Sequence, residues 1–251
     1  MKGHNRRRTG VILAAGFGSR LKGTVDDVSL KPLTPVAGVP LIHRVFASLE
    51  TAGCSRIVVV LGHGHEKVKK EITEHYDGPL DLVFVYNEDY HLSNGISLLS
   101  ASDYLSGEFV LTMADHIVSD SIMEKARYHS PPNDGATLMV DYKIDTIFDL
   151  DDATKVLEKD EKIVSIGKEI DRYNCIDTGV FVCTPGLLDV LEQVYREKGD
   201  ASLSDGVQQL AKKGQMSVLD IEDAFWQDVD TPEMLEYAEM ILLEEEQAVS
   251  S

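Results

Sequence analysis

The sequence predicts an α/β fold: a doubly wound, largely parallel sheet that carries a small β-hairpin. Three observations predict it. Apolar runs such as Ile57 to Leu61 (IVVVL) are short, β-branched and unbroken by polar residues, as central parallel strands are. Segments of helical periodicity lie between them, with Leu41, Ile42, Val45, Phe46 and Leu49 on one face, so strands and helices alternate. The 251 residues, 43% hydrophobic, suit one compact domain with a full core.

The first strand, Val11 to Leu13 with Ala14 and Ala15, ends at Gly16. Gly16 and Gly18 lack a Cβ, so backbone N–H groups there can approach a phosphate closely, while Arg20 and Lys31 supply the charge a triphosphate requires. A dinucleotide loop would want a third glycine where Leu21 stands, and a Walker A loop would want Gly-Lys-Ser/Thr; neither is present. A bare strand-to-helix turn leaves the two cations and the closing Lys31-Pro32-Leu33 unexplained.

In chain order, the helix over Leu41 to Leu49 stops at Gly53, and a charged helix from His65 to Glu74 follows the Ile57 strand. Strands are expected at Leu82 to Tyr86, Phe109 to Met113 and Ala136 to Val140, with helices near Ser97 to Tyr104 and Asp120 to Tyr128. Between Asp145 and Ile166 the pattern predicts a hairpin with Asp160-Glu161 at its turn. A closing helix over 232–247 places Met234, Leu235, Ala238, Ile241 and Leu242 on one face, to pack on the sheet. Pro131 to Gly135 is a turn cluster and no internal repeat occurs, so 1–251 reads as one domain with halves at 9–130 and 131–231.

Twenty-four basic against 43 acidic residues give a net charge of −19, which argues against binding nucleic acid or an anionic membrane through a broad basic face. No apolar run approaches the roughly 20 residues of a membrane span, and Arg6-Arg7-Arg8 lacks the apolar segment of a secretory signal, so a cytoplasmic protein without membrane insertion is expected. Cys54, Cys175 and Cys183 are scattered and read as buried thiols, and His63 and His65 as solvated loop residues.

Three polar stretches lie where strands end. Asn94-Gly95 opens a helix at the carboxyl end of a strand, with Ser97 near its start, and such positions line ligand crevices. In FVLTMADH the strand presents Asp115 to the same side, and Mg²⁺ asks for few carboxylates besides phosphate oxygens and water. Asp228 and Asp230 alternate on one face of an extended segment; Thr231 and Pro232 already account for the helix start, which leaves Asp230 free for metal.

The run L-A-A-G-x-G-S-R-L followed by K-P-L resembles the sugar-phosphate and alcohol-phosphate nucleotidyltransferases. That resemblance implies a Rossmann-like fold, with Leu13, Ala14, Ala15, Gly16, Gly18, Ser19 and Ala114 lining the nucleotide and Arg20 and Lys31 on its phosphates. The turn Asn94-Gly95 with Ser97 is similar to that of cytidylyltransferases, where it meets base and ribose. Asp149-x-x-x-Ala153-Thr154-Lys155-Val156, Ile166-Gly167-Lys168 and Tyr173-Asn174-x-Ile176-Asp177-Thr178-Gly179 resemble the inositol-1-phosphate cytidylyltransferases over most of the chain. They imply a hairpin lid over the acceptor, Lys168 on the acceptor phosphate, and Asp177, Thr178 and Gly179 around the polyol, assisted by Lys143 and Lys155. Asp115 with Asp228 and Asp230 would hold Mg²⁺. The reaction implied is CMP transfer from CTP to inositol-1-phosphate, giving CDP-inositol and pyrophosphate, with a downstream alcohol phosphotransferase expected on a separate chain. Phosphocholine, 2-aminoethylphosphonate and sugar-1-phosphates stay open as acceptors, and a glycosyltransferase or a non-catalytic nucleotide-binding regulator stay as rival classes. The paired cations speak against the first rival and the acids against the second.

Overall fold

Apolar residues alternate between two faces of a central sheet, and both faces are covered. The computed structural model describes residues 8–16 and 30–249. Its elements run β1 (Arg8–Ala14), a 3-10 turn (Lys31–Leu33), β2 (Pro35–Val36), β3 (Val39–Pro40), α1 (Leu41–Thr51), β4 (Cys54–Leu61), α2 (His65–His75), β5 (Asp81–Tyr86), α3 (Asn94–Leu99), β6 (Phe109–Met113), β7 (His116–Val118) and α4 (Asp120–Tyr128). The second half continues with β8 (Ala136–Asp141), β9 (Lys155–Lys159), β10 (Lys162–Gly167), β11 (Cys175–Cys183), α5 (Gly186–Lys198), α6 (Leu203–Lys212), β12 (Met216–Asp220), β13 (Trp226–Asp228) and α7 (Pro232–Val249). Val11, Leu13, Val58 and Val60 face one core with α3, α5 and α6, while Ile12, Ala14, Val59 and Leu61 face the other with α1, α2 and α4. The α/β class and the double winding are as expected.

The nine-stranded sheet has the order β5-β4-β1-β6-β11-β8-β12-β10-β9. The pairs β4 with β5, β1 with β4, and β1 with β6 are parallel. Beyond β6 the expected parallel order gives way to a mixed one, because β11 is antiparallel to both β6 and β8. The physical reason is the route of the chain: β11 follows the β9–β10 hairpin without a crossover helix, and a parallel neighbour would need one. The hairpin itself is present, and its turn residues Asp160 and Glu161 both have positive φ, as a two-residue turn of this twist demands. It is not a detached flap. β10 meets β12 on one side and β9 returns to β11 on the other, so these strands with β8 close into a ring.

Several boundaries also differ from expectation. The third helix starts at Asn94 and ends at Leu99, with a separate 3-10 turn over Ser102–Tyr104. The closing helix does not pack on the main sheet: Ala238 joins Val36, Leu41, Ile117 and Val229 in a small third core beside β2 and the β7–β13 pair. Among the described residues no helix is long and apolar enough to cross a membrane.

Candidate active site

The carboxyl ends of β1 and β6 lie side by side, since Ala114 N donates to Leu13 O at 3.1 Å and Leu13, Ala14, Ala15 and Ala114 are all buried there. Asp115 leaves β6 at that edge. The segment holding Asp228 and Asp230 is drawn over it by antiparallel pairing, Asp228 opposite His116, and Val229 N donates to Asp115 O at 2.9 Å. Lys31 opens the 3-10 turn, whose Pro32 is buried, and reaches the two acids from the other side. Its Nζ donates to Asp115 Oδ2 at 2.5 Å and also to Asp230 Oδ1. Three residues separated by up to 199 positions thus meet at one nitrogen.

This charge cluster sets its own protonation. Burial acts to lower the Lys31 pKa, but Asp115 and Asp230 outweigh it and raise it. Burial likewise works against the Asp115 carboxylate, and Lys31 with His116 overcomes it, holding Asp115 far below the usual range. Asp228 moves the opposite way: burial, with Asp230 and Asp115 nearby, raises it against the pull of His116 and Lys31. Two carboxylate oxygens already converge on one positive centre, so Asp115 and Asp230 offer the hard oxygen donors that Mg²⁺ takes together with phosphate and water. Among the described residues no larger group of His, Cys, Asp or Glu is arranged to hold a metal.

A cleft of about 260 Å³ opens beside this cluster, its lining including Asn94, Lys143, Lys168, Asp177, Asp228 and Asp230. Asp177 enters it at an irregularity of β11, where Asp177 Oδ1 accepts from Gly179 N at 2.7 Å. Burial pushes its carboxyl up to about 6, against the opposing effects of the Gly179 N–H and His116. Lys168 Nζ pairs with Asp152 Oδ1 at 2.5 Å at the half-exposed mouth. Lys143 is held by Asp141 at 2.9 Å and by the Glu222 carbonyl at 2.5 Å.

Of the other expected site residues, several face away from the cleft. Thr178 is fully buried and donates to Met139 O at 2.9 Å, facing the core. Lys155 donates to Lys168 O at 2.9 Å and stands over the Tyr173 ring, away from the cleft lining. Ser97 Oγ is buried and accepts from Asn87 Nδ2 at 3.0 Å, so it braces the turn from behind. Gly95 packs against the Ala201 carbonyl, where a Cβ would come within 2.4 Å. Asn94 lines the cleft while its Oδ1 accepts from Leu203 N at 2.9 Å. Gly16 is described and exposed at the end of β1, whereas Gly18, Ser19 and Arg20 lie outside the described residues.

Three cleft residues had no place in the sequence reading: His116, Asp141 and Trp226. His116 Nδ1 bonds Asp115 Oδ1 at 2.6 Å, and its ring stacks on Trp226 with centroids 6.1 Å apart and planes 17° apart. Trp226 Nε1 donates to Asp141 Oδ2 at 2.9 Å. The available signals were the histidine directly after Asp115 and a lone tryptophan two residues before Asp228.

With this geometry in view, the likenesses to known proteins are informative. The structure superposes on the inositol-1-phosphate CTP transferase from T. maritima with a TM-score of 0.80 and 29% identity, covering 92% of this chain and 96% of that one. The chain is 35% identical over 236 residues to a bifunctional IPC transferase and DIPP synthase of Aquifex aeolicus (strain VF5), spanning 94% of itself and 52% of that protein. A protein of the same name from Thermococcus kodakarensis is 34% identical, with 93% of this chain and 50% of that one covered. The chain therefore spans about half the length of the curated relatives it matches. The sequence model for the MobA-like NTP transferase domain matches residues 10–205, and the chain belongs to that family of nucleotidyltransferases.

Proposed function

We propose that the chain transfers CMP from CTP to L-myo-inositol-1-phosphate, releasing pyrophosphate and CDP-inositol. The observation that carries this reading is the near full-length likeness, in sequence and in fold, to the T. maritima inositol-1-phosphate CTP transferase. The cleft is consistent with it, since carboxylates and lysines from both halves of the chain meet beside a polar chamber.

In this reading the acceptor phosphate is its own nucleophile. A phosphate monoester has a second pKa of about 6, so near neutral pH it is largely dianionic and needs no side-chain base. One of its oxygens forms a bond to the α-phosphorus of CTP in line with the bond that breaks, and the electron pair leaves on pyrophosphate. The protein's task is charge neutralisation and alignment. Lys31 would pass from its carboxylate pair to the triphosphate, Lys168 would meet the acceptor phosphate, and Arg20 is assigned to the triphosphate by resemblance. Asp115 and Asp230, with Asp228 beside them, would hold Mg²⁺, which when bound supplies positive charge to the triphosphate oxygens. Asn94 at the cleft and the backbone at the end of β1 would face the nucleotide.

One observation favours a second acceptor class. Phe148, Phe225, Trp226 and Tyr237 give the cleft an aromatic wall, which suits a cationic amino-alcohol such as phosphocholine. Tyr142 and Tyr173 are not part of the cleft lining, and Tyr173 lies beneath Lys155. Pyrophosphate release with inositol-1-phosphate and each of CTP, UTP, ATP and GTP tests the nucleotide half of the proposal. A kcat/KM for CTP at least about tenfold above the others is expected, because a site that hydrogen-bonds one base edge rejects others; equal values for UTP and CTP would refute it.

A further inference from the structure

We propose that His116 contacts an acceptor hydroxyl through Nε2 and thereby links acceptor recognition to the orientation of Asp115. The inference rests on the proposed transfer to a phosphoalcohol and assigns a specificity-determining residue within it. Nδ1 of His116 is committed to Asp115 Oδ1 at 2.6 Å. Nε2 has no hydrogen-bond partner among the described residues, yet it is not a sealed orphan, and His116 lines the cleft. A ring nitrogen that the protein leaves unbonded and that opens onto a ligand chamber is placed to bond what fills that chamber.

The ring is fixed on both sides. Trp226 stacks on it at 17°, anchored in turn by Asp141, which Lys143 holds. Gly179, at φ +74, stands against the ring's other edge: a Cβ there would come within 2.6 Å of His116 Cδ2 and Nε2. A residue with any side chain at 179 would displace the imidazole, so the glycine and the histidine form one device. With Nδ1 committed and the ring clamped, Nε2 has one direction in which to bond. A hydroxyl both donates and accepts, so the contact stands in either protonation state of the ring. Because the same imidazole orients Asp115, an acceptor that satisfies Nε2 also steadies the carboxylate at the reacting end of the cleft.

The test combines enzyme and substrate changes. In the wild type, inositol-1-phosphate analogues lacking single ring hydroxyls are assayed with CTP, and one of them is expected to lose at least tenfold in kcat/KM. In His116→Phe, which keeps a stacking ring but has no nitrogen, that same deletion is expected to cost less than twofold, on top of a general fall in kcat because Asp115 loses its Nδ1 partner. His116→Gln, which retains a polar end, is expected to recover part of the acceptor kcat/KM. The proposal is overturned if no deletion is selectively penalised, or if the penalty is the same in wild type and His116→Phe. Should His116→Phe fail to fold, the comparison is made with His116→Leu, which also has no polar end, and an undiminished penalty there likewise overturns it. If the wild type uses another phosphoalcohol in place of inositol-1-phosphate, the acceptor assignment fails by itself, and the same hydroxyl-deletion cycle on that acceptor decides the role of His116.

Discussion

Asp115 is the residue on which three groups converge: Lys31, His116 and the backbone of Val229. Asp115→Asn keeps the shape and an oxygen for His116 but removes the charge, so kcat is expected to fall by about 100-fold or more with an unchanged circular dichroism spectrum. Near-normal turnover at saturating Mg²⁺ would remove Asp115 from the metal site. Asp177 gives a pH signature in stability instead. Its carboxyl is raised to about 6 in the folded protein by burial, above the usual 3.8. The folded state therefore holds a proton that the unfolded state has lost across roughly pH 4 to 6, and stability falls as pH rises through that window. Asp177→Asn is expected to remove that decline and to gain on the order of 1–2 kcal/mol at pH 7. Equal pH profiles of urea unfolding for both proteins would contradict it.

At the scale of elements, Gly95 separates a packing role from a binding one. A Cβ at that position meets the Ala201 carbonyl at 2.4 Å and Leu191 at 2.8 Å, so Gly95→Ala is expected to cost about 1–3 kcal/mol by forcing α3 off α5 and α6. The KM for CTP should change little in the folded fraction; a large rise in KM with unchanged stability would return Gly95 to the nucleotide. The same contrast explains what the sequence made legible. The strands β1, β4 and β6 could be read because both of their faces are buried, which leaves short unbroken apolar runs like Ile57 to Leu61. The antiparallel course of β11 was not legible, since it depends on where the chain re-enters after the hairpin and leaves no mark on local pattern. Lys31, Asp115, Asp228 and Asp230 stood out because each ends a recognisable stretch. His116, Asp141 and Trp226 did not, because their roles arise only from contacts such as Trp226 with Asp141, 85 positions apart.

For the whole molecule, a net charge of −19 means that anionic substrates are drawn in by local cations, with Lys31 beside the cleft and Lys143 and Lys168 in its lining among those described. In the proposed reading the sheet would bring these together, with β1 and β6 from the first half on the nucleotide side and β11 with the strands that close around it on the acceptor side. The central claim is that this junction joins CTP to a polyol phosphate. It is tested most directly by the kcat/KM with CTP and Mg²⁺ for inositol-1-phosphate against phosphocholine, 2-aminoethylphosphonate and glucose-1-phosphate, measured as pyrophosphate release. Inositol-1-phosphate is predicted to give the highest value by at least about tenfold, as a site built to bond several hydroxyls requires, and a higher value for any of the other three would contradict the account.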